Sequence, residues 1–226
     1  MADLRFNSQT NSPSITTEGA YRLANGTRDG ALFTAPWYLQ MAMEGRVFAV
    51  NVGTGTTPTT FNAAFAVAEQ DLFVHVPSGT CIIPVYIGVQ FEDTGTALAL
   101  DVMAVASSTG DAAVTGTAKT IYNVRTDAPR SSNCTATAVV TAAGTDTLAG
   151  TFYEFWRPYA GFGEDAFNGS TGWINNRIHG AEWTVAQAGV PPIIANGGSL
   201  SVTASGQAGI GFIQAMWIEV PSTRIQ

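Results

Sequence analysis

The stretch DLFVHVPSGTCIIPVYIGVQFED, residues 71–93, decides the fold class of this chain. It holds two apolar runs rich in β-branched residues, joined by a Pro-Ser-Gly turn at residues 77–79. Both runs repeat with a period of two, which is typical of strands that turn one face to a core. The side chains expected on the core faces are Leu72, Val74 and Val76 in the first run and Val85, Ile87, Val89 and Phe91 in the second. The stretch therefore predicts two β-strands.

Strand patterns continue on both sides of this stretch. They occur in RVFAVNVG (46–53), TALALDVMAVAS (96–107), NCTATAVVTA (133–142), GTFYEFWRPY (150–159), GGSLSVTASG (197–206) and GIGFIQAMWIEVP (209–221). Gly, Pro and Asn separate these runs at the spacing of a sandwich or barrel. We therefore predict an all-β protein, an antiparallel β-sandwich with about eight to ten strands.

Several runs predict which side chains are buried and where the chain turns. Residues 197–206 should turn Leu200, Val202 and Ala204 to one face and the polar residues Ser199, Ser201 and Thr203 to the other. Leu98, Leu100 and Val102 should point inward. The run 209–221 is apolar on both faces, which predicts burial on both sides. We expect a hairpin turn after Phe91 and a long loop, with at most one helical turn, over residues 161–189.

The first 45 residues differ from the rest because they are polar and only weakly periodic. Within them, helix formers follow Pro36, which suits the first position of a helix, so we predict a short helix from Pro36 to Glu44. The region has too little apolar surface for a core of its own. We therefore divide the chain into an extended arm, residues 1–45, and a β-sandwich domain, residues 46–226.

Charge is scarce in this chain and argues against several partners. Only 12% of the 226 residues are charged, and the net charge is −7. Lys119 is the only lysine and the arginines are scattered singly, whereas nucleic-acid binding needs clustered cations. We expect no direct nucleic-acid binding and, without a long apolar run, no membrane span. Residues 1–14 lack the pattern of a signal peptide, which predicts synthesis in a cytoplasm with Cys81 and Cys134 reduced.

Residues that suggest catalysis or metal binding are few and isolated. His75 and His179 are the only histidines, and neither sits in a metal-ligand or triad motif, so we interpret both as packing or interface residues. The triplet Asp93-Thr-Gly resembles that of aspartic proteases but has no second copy. A calcium site built from Glu164, Asp165 and Asn168 lacks the spacing of an EF-hand loop. We predict no cofactor and no bound metal.

Glu154 lies in FYEFWRPY, beside Trp156 and Arg157. A carboxylate flanked by aromatic rings can bind or hydrolyse sugars, and it can equally pair with an arginine at an interface. We favour the interface. A glycosidase that uses Glu154 and Glu164 is the enzymatic alternative, but the main prediction is a protein without enzymatic activity.

The order of these features resembles the jelly-roll structural proteins of viruses, including bacteriophages. The resemblance covers residues 46–221 and is carried above all by VPSGTCIIPV (76–85) and by GGSLSV and GFIQAMWIEV near the carboxyl end. It implies a single jelly roll of two packed antiparallel sheets, with loops and arm making contacts between subunits. Jelly-roll shells that package genomes by charge resemble one another in their basic arms, but residues 1–45 here carry only three arginines.

From the residues and the resemblance we predict a virion structural protein, a capsid shell or shell-decoration subunit. Its partners would be copies of itself and other virion proteins, and its location the virion. The expected interface anchors, chosen by residue type, are Trp37, Tyr38, Trp156, Arg157, Tyr159 and Trp173. The alternative function is a receptor- or glycan-binding head of a phage fibre or spike, with the aromatic residues of 152–183 as a stacking platform.

Overall fold

The computed structural model describes residues 36–62, 65–93, 99–128, 130–141, 151–162, 177–178, 180–205 and 209–224. Fifteen strands and two short α-helices lie in these ranges. In chain order they are α1 (Trp37–Met43), β1 (Val47–Val52), β2 (Thr59–Thr60), β3 (Leu72–His75), β4 (Thr80–Asp93), β5 (Ala99–Ser107), β6 (Thr117–Lys119), β7 (Ile121–Asn123), β8 (Thr135–Ala138), β9 (Phe152–Trp156), β10 (Tyr159–Phe162), β11 (Arg177–Ile178), β12 (Gly180–Thr184), α2 (Val185–Ala188), β13 (Ile194–Ala195), β14 (Ser199–Ser205) and β15 (Ile210–Pro221). A 3-10 turn, Ser222–Arg224, follows β15.

The strands form two antiparallel sheets, which confirms the predicted all-β, sandwich-like architecture. Sheet 1 has the order β12-β4-β15-β1-β7, with β13 also paired to β4 and β2 to β15. Sheet 2 has the order β11-β10-β5-β14-β3-β8-β6, with β9 also paired to β5. Long strands that follow one another in the chain mostly belong to different sheets. For example, β3 belongs to sheet 2 while β4, directly after it, belongs to sheet 1.

One main core lies between the sheets, and the predicted alternation supplies most of it. Strand β1 contributes every second residue, as do β3 and β14, because their inward faces alternate with the period of the pleat. The buried residues that these three strands contribute are Phe48, Val50, Val52, Leu72, Val74, Leu200, Val202 and Ala204, and Val76 directly follows β3. Trp217 of β15 is the largest side chain buried among them.

Strand β4 departs from simple alternation at a β-bulge beside Pro84. Its partner β15 pairs Met216 with Tyr86 and Trp217 with Pro84, so that Val85 has no partner of its own. The extra residue reverses the facing of the strand, which lets both Ile82 and Ile87 reach the main core. A proline in the middle of a sheet is tolerated at such a bulge because it has no N–H to donate to the ladder.

The polar face of β14 is also buried, which the sequence did not predict. Ser199, Ser201 and Thr203 are each at most 1% exposed. The segment after β5 covers part of this face, since the Ser199 hydroxyl donates to the Thr109 carbonyl at 3.3 Å. A Cβ on Gly110 would lie 2.7 Å from that of Ser199, so only glycine permits this close approach.

A second, smaller core lies on the outer face of sheet 1 beneath α1. Its buried members are Val47, Cys81, Ile218 and Val220, and Tyr38, Met41 and Ala42 of the helix pack against them. The predicted helix is thus confirmed, although Pro36 caps it from outside instead of taking its first position. Burial of Ile218 and Val220 on one face and of Trp217 on the other matches the prediction for this part of the last run.

Two predictions about connections were wrong. The hairpin expected after Phe91 does not form, because β4 runs on to Asp93 and the chain then leaves sheet 1 for β5 in sheet 2. The region predicted as a loop, residues 161–189, contains the strand β12. This strand pairs with β4 over five residues, from Gly180 opposite Gln90 to Thr184 opposite Tyr86. Strand β12 carries one large buried side chain, Trp183, so its sequence shows no clear period. The predicted helical turn is α2, and residues 163–176 lie outside the described ranges.

Candidate interaction surface

Helix α1 carries more large apolar side chains than its contact with the protein can bury. Tyr38, Met41 and Ala42 face the small core. Away from that core, Trp37 lies on one flank of the helix and Leu39 and Met43 on the other, with the exposed Gln40 between them. The side chains of Trp37, Leu39 and Met43 are 44%, 46% and 60% exposed. We call these three residues the helix surface. Three large exposed apolar side chains on one seven-residue helix make the helix surface the first candidate for a contact with another molecule.

Hydrogen bonds from the last residue of β7 and from the segment that follows hold the end of α1 in place. The Arg125 guanidinium donates through Nη1 to the Met43 carbonyl at 2.9 Å, and the Asn123 amide donates to the Gly45 carbonyl at 2.9 Å. Gly45 has a φ of +66°, a conformation that glycine adopts without strain. The exposed Val124 lies between the two donors. The carboxyl end of α1 is therefore held on the sandwich by these two side chains.

The predicted anchors do not form one described cluster. Trp37 and Tyr38 are in contact, with ring centroids 6.2 Å apart, and Tyr38 is the half-buried member that packs against the cores. Trp156 and Arg157 lie at sheet 2, where Tyr159 begins β10. Trp173 lies outside the described residues. The choice of anchors by residue type included Trp37 but left out Leu39 and Met43. The run WYLQMAM, with one polar residue in seven, could have indicated that this helix exposes further apolar side chains.

Glu154 of β9 and Arg157, the residue after this strand, form an ion pair on the surface. The Arg157 guanidinium donates to both carboxylate oxygens of Glu154, through Nε at 2.6 Å and through Nη2, and lies 3.8 Å from Asp101. A bulge opposite Ala104 and Val105 lets both Phe155 and Trp156 pack against the main core. Glu154 thus pairs with an arginine of its own chain, and its place at an interface between subunits stays a prediction.

The aromatic platform suggested for residues 152–183 is only partly at the surface. Phe155 and Trp183 pack edge to face with centroids 5.3 Å apart, and Trp183 is buried in the main core. Phe152 and Tyr153 are exposed. The described rings of this region thus serve the core as well as the surface.

The candidate catalytic groups lie apart from one another in the described residues. His75 is half-buried on β3, opposite Ser199. Burial lowers the pKa of His75, while Asp111 raises it by a smaller amount. No group of three or more His, Cys, Asp or Glu in the described ranges could hold a metal ion. His179, Glu164, Asp165 and Asn168 lie outside those ranges.

Asp71 is a buried carboxyl with a structural role. Its Oδ1 accepts from the backbone N–H of Asn62 at 2.6 Å, and its Oδ2 accepts from that of Ala204 at 2.7 Å. Burial raises the pKa of Asp71 to about 7, and the two N–H donors offset part of that rise. The carboxyl ties the chain before β3 to β14, and no surface is near enough for it to act on a ligand, since its exposure is 0%.

Cys81 and Cys134 are both free and buried, which predicts thiols that react slowly in the folded protein. Burial raises the pKa of Cys81 to about 11 and that of Cys134 further still. At pH 8 about one Cys81 thiol in a thousand is then ionised. We expect iodoacetamide to label the native protein at least about a hundredfold more slowly than the guanidinium-unfolded protein. Mass spectrometry over time checks this, and rapid labelling of the native protein, or a disulfide in it, would contradict it.

Comparisons with known proteins give no family for this chain. No family model matches the sequence, and neither the curated proteins nor the solved structures contain a match. Among the helices of the described ranges, none is long and apolar enough to cross a membrane. Function therefore has to be argued from the surfaces themselves.

Proposed function

We propose that this protein is a virion structural subunit, part of a capsid shell or of its decoration, that assembles with copies of itself. The observation that carries the proposal is the helix surface, which exposes three large apolar side chains on a helix fixed to a rigid sandwich. A second copy is the occupant we propose for it. Interfaces between identical subunits are more apolar than the general surface, and aromatic residues and Met are enriched in them.

The strand order supports the finer proposal that the sandwich is a single jelly roll. Eight strands, β1, β3, β4, β5, β10, β12, β14 and β15, give the spatial orders β1-β15-β4-β12 in sheet 1 and β3-β14-β5-β10 in sheet 2. The last strand thus lies beside the first, and each sheet mixes early and late strands, as two Greek keys require. Strands β6, β7 and β8 would then form an insertion between β5 and β10.

Low charge supports an assembly held by apolar and neutral polar contacts. Burying an ion without a partner costs several kcal/mol, so loops rich in Thr, Asn and Gly can be covered more easily than charged ones. Arg157 is already paired with Glu154, and Arg125 with Asp127 at 2.8 Å, so these surface arginines are partly neutralised. The scattered cations also favour contacts with other virion proteins over direct contacts with a genome.

Charging the helix surface tests the proposal. The double substitution Leu39→Lys, Met43→Lys removes two apolar anchors, each worth about 1.5–3 kcal/mol when buried. We expect it to weaken self-association by at least a hundredfold, since about 1.4 kcal/mol corresponds to a factor of ten. Light scattering and negative-stain imaging of the full chain measure the assembly. Thermal unfolding should change little, because both side chains are exposed in the single subunit.

Val190→Lys is the matched control, because Val190 is an apolar residue that is 84% exposed and lies after α2, outside the helix surface. It should leave assembly unchanged. A natural chain that stays monomeric at high concentration would contradict self-assembly. Particles that form equally well with the double substitution would show that the helix surface is not the interface.

A further inference from the structure

The outer face of sheet 1 is covered by α1 over one half and open over the other. The open half forms a groove of about 1000 Å³ across strands β1, β15, β4 and β12. The segment 118–122, from the end of β6 into β7, and the turn at 53–55 also line it. Neither the predicted anchors nor the ion pair at β9 belongs to this groove.

The floor of the groove is a row of four residues, one from each strand, which the pairing of the strands places side by side. Three of them have polar side chains, and the fourth is a glycine. Asn51 pairs with Gln214, Gln214 pairs with Gly88, and Gly88 pairs with Glu182. The residues on either side of each, such as Val50 and Val52 or Ile213 and Ala215, point into the main core, so the row points outward. Strands lie about 4.8 Å apart, so the row is about 14 Å long.

Gly88 is the one position of the row without a side chain, and the hydroxyl of Tyr86 lies over it. A Cβ on Gly88 would collide with the Tyr86 hydroxyl, which means that the Tyr86 ring leans over the glycine. Burial, and the nearby Glu182, raise the pKa of Tyr86. The floor therefore offers two amides, a phenol hydroxyl and a carboxylate in one line, and each of the first three groups can both donate and accept hydrogen bonds.

Aromatic rings lie beside the polar row. Phe212 packs over Gly53, where an added Cβ would be only 2.5 Å from the ring. Tyr122, which is 57% exposed, pairs in register with Ala49 and lies on the opposite side of the row from Phe212. Such rings give apolar contact to flat ligand faces while the row fixes orientation through hydrogen bonds.

From this arrangement we infer that the groove is a binding site for a neutral oligosaccharide. Sugar rings present hydroxyl pairs to amides and hydroxyls, and C–H faces to aromatic rings, which is the combination that the groove offers. A purely apolar ligand would leave the amides without partners. A nucleic acid would meet a single cation, Lys119, among the described lining residues, and Glu182 would repel its phosphates.

The described lining supports binding without hydrolysis. Glycosidases mostly use a pair of carboxylates on either side of the scissile bond, and Glu182 is the one carboxylate among the described lining residues. The inference goes beyond the proposed structural role and does not depend on it, because the groove and the helix surface are built from different residues.

Calorimetric titration of the full chain with neutral hexasaccharides of glucose, mannose and galactose tests the inference. We expect saturable binding of at least one of them, and at least a tenfold loss of affinity in Asn51→Ala, Gln214→Ala. Gln187→Ala, which removes an exposed amide on α2 outside the groove, is the control and should bind like the natural chain. All variants should keep the natural melting temperature within a few degrees, since these side chains are at or near the surface.

Three outcomes would overturn the inference: no binding of any hexasaccharide, binding that the double substitution leaves unchanged, or binding of an extended Thr- and Asn-rich peptide in place of sugar. Light scattering on the same samples keeps the two proposals apart. Particles without sugar binding would refute the groove alone, and sugar binding by a permanent monomer would refute the assembly alone.

Discussion

Raising the pH from 5 to 8 is expected to lower the free energy of unfolding by about 2–3 kcal/mol through Asp71 alone. Burial raises the pKa of this carboxyl from 3.8 to about 7 in the folded protein. The unfolded chain has the ordinary value, so between about pH 4 and pH 7 the folded state holds a proton on Asp71 that the unfolded chain has lost. The stabilisation is complete below pH 4 and is lost as the pH rises through 7. At about 1.4 kcal/mol per pH unit, its ceiling is about 4 kcal/mol.

Urea unfolding of the unassembled chain at pH 5, 6, 7 and 8 measures this slope, and Asp71→Asn isolates it. The variant cannot titrate, so its profile should lack the fall that Asp71 causes. It should also be less stable than the natural chain by about 1–3 kcal/mol at pH 5, because its amide nitrogen cannot accept from a backbone N–H. The difference between the two proteins should shrink towards pH 8.

The comparison is necessary because His75 acts in the opposite direction. Burial lowers the pKa of His75, so stability from that group is gained as the pH rises towards the ordinary value of 6.5. Asp127→Asn serves as a control, because its pairing with Arg125 lowers the pKa of Asp127 and it does not titrate above pH 5. Parallel profiles for the natural chain and Asp71→Asn would contradict the prediction.

The sequence predicted the strands well where each turns one apolar face inward. Leu72, Val74 and Val76 reach the core as their alternation indicates, and so do Leu200, Val202 and Ala204. It did not predict how strands are shared between the sheets. A short turn such as 77–79 suits a hairpin as well as a change of sheet, and only the packing of the whole domain decides between them.

Bulges and buried polar faces account for most of the remaining differences. The extra residues at Val85 and Phe155 shift the facing of β4 and β9, and a pattern of period two cannot indicate where such a shift falls. Ser199 and Ser201 look like solvent-facing residues in the sequence. They are buried because segments distant along the chain, such as that around Thr109, fold over them.

The candidate surfaces were less accessible to sequence reasoning than the strands. Trp37 could be proposed from its residue type, but the exposure of Leu39 and Met43 depends on which side of α1 meets sheet 1. The groove depends on register between four strands that lie far apart in the chain. Asn51 and Gln214 are neighbours only because β1 and β15 pair, and no local pattern carries that information.

Trp217→Ala is expected to destabilise the fold by about 3–5 kcal/mol, as large-to-small substitutions of buried aromatic residues do. Trp217 is fully buried in β15, between Phe48 of β1 and Pro84 of β4 in the register of sheet 1. Its side chain is the largest of those that are fully buried, and removing it would leave a cavity in the main core. Urea unfolding at fixed pH, followed by circular dichroism, measures the loss.

Trp217→Phe should cost far less, below about 2 kcal/mol, although it also removes atoms from the core. The reason is that the indole Nε1–H is buried without an acceptor among the described residues. An unsatisfied buried donor costs about 1–3 kcal/mol, and phenylalanine removes this donor while keeping most of the apolar surface. A loss in Trp217→Phe well above about 2 kcal/mol relative to the natural chain would contradict the prediction, because it would indicate that the indole N–H is hydrogen-bonded in the folded protein. Both variants lack the indole N–H, so the difference between them measures the stabilisation that a phenyl ring gives by filling this part of the core.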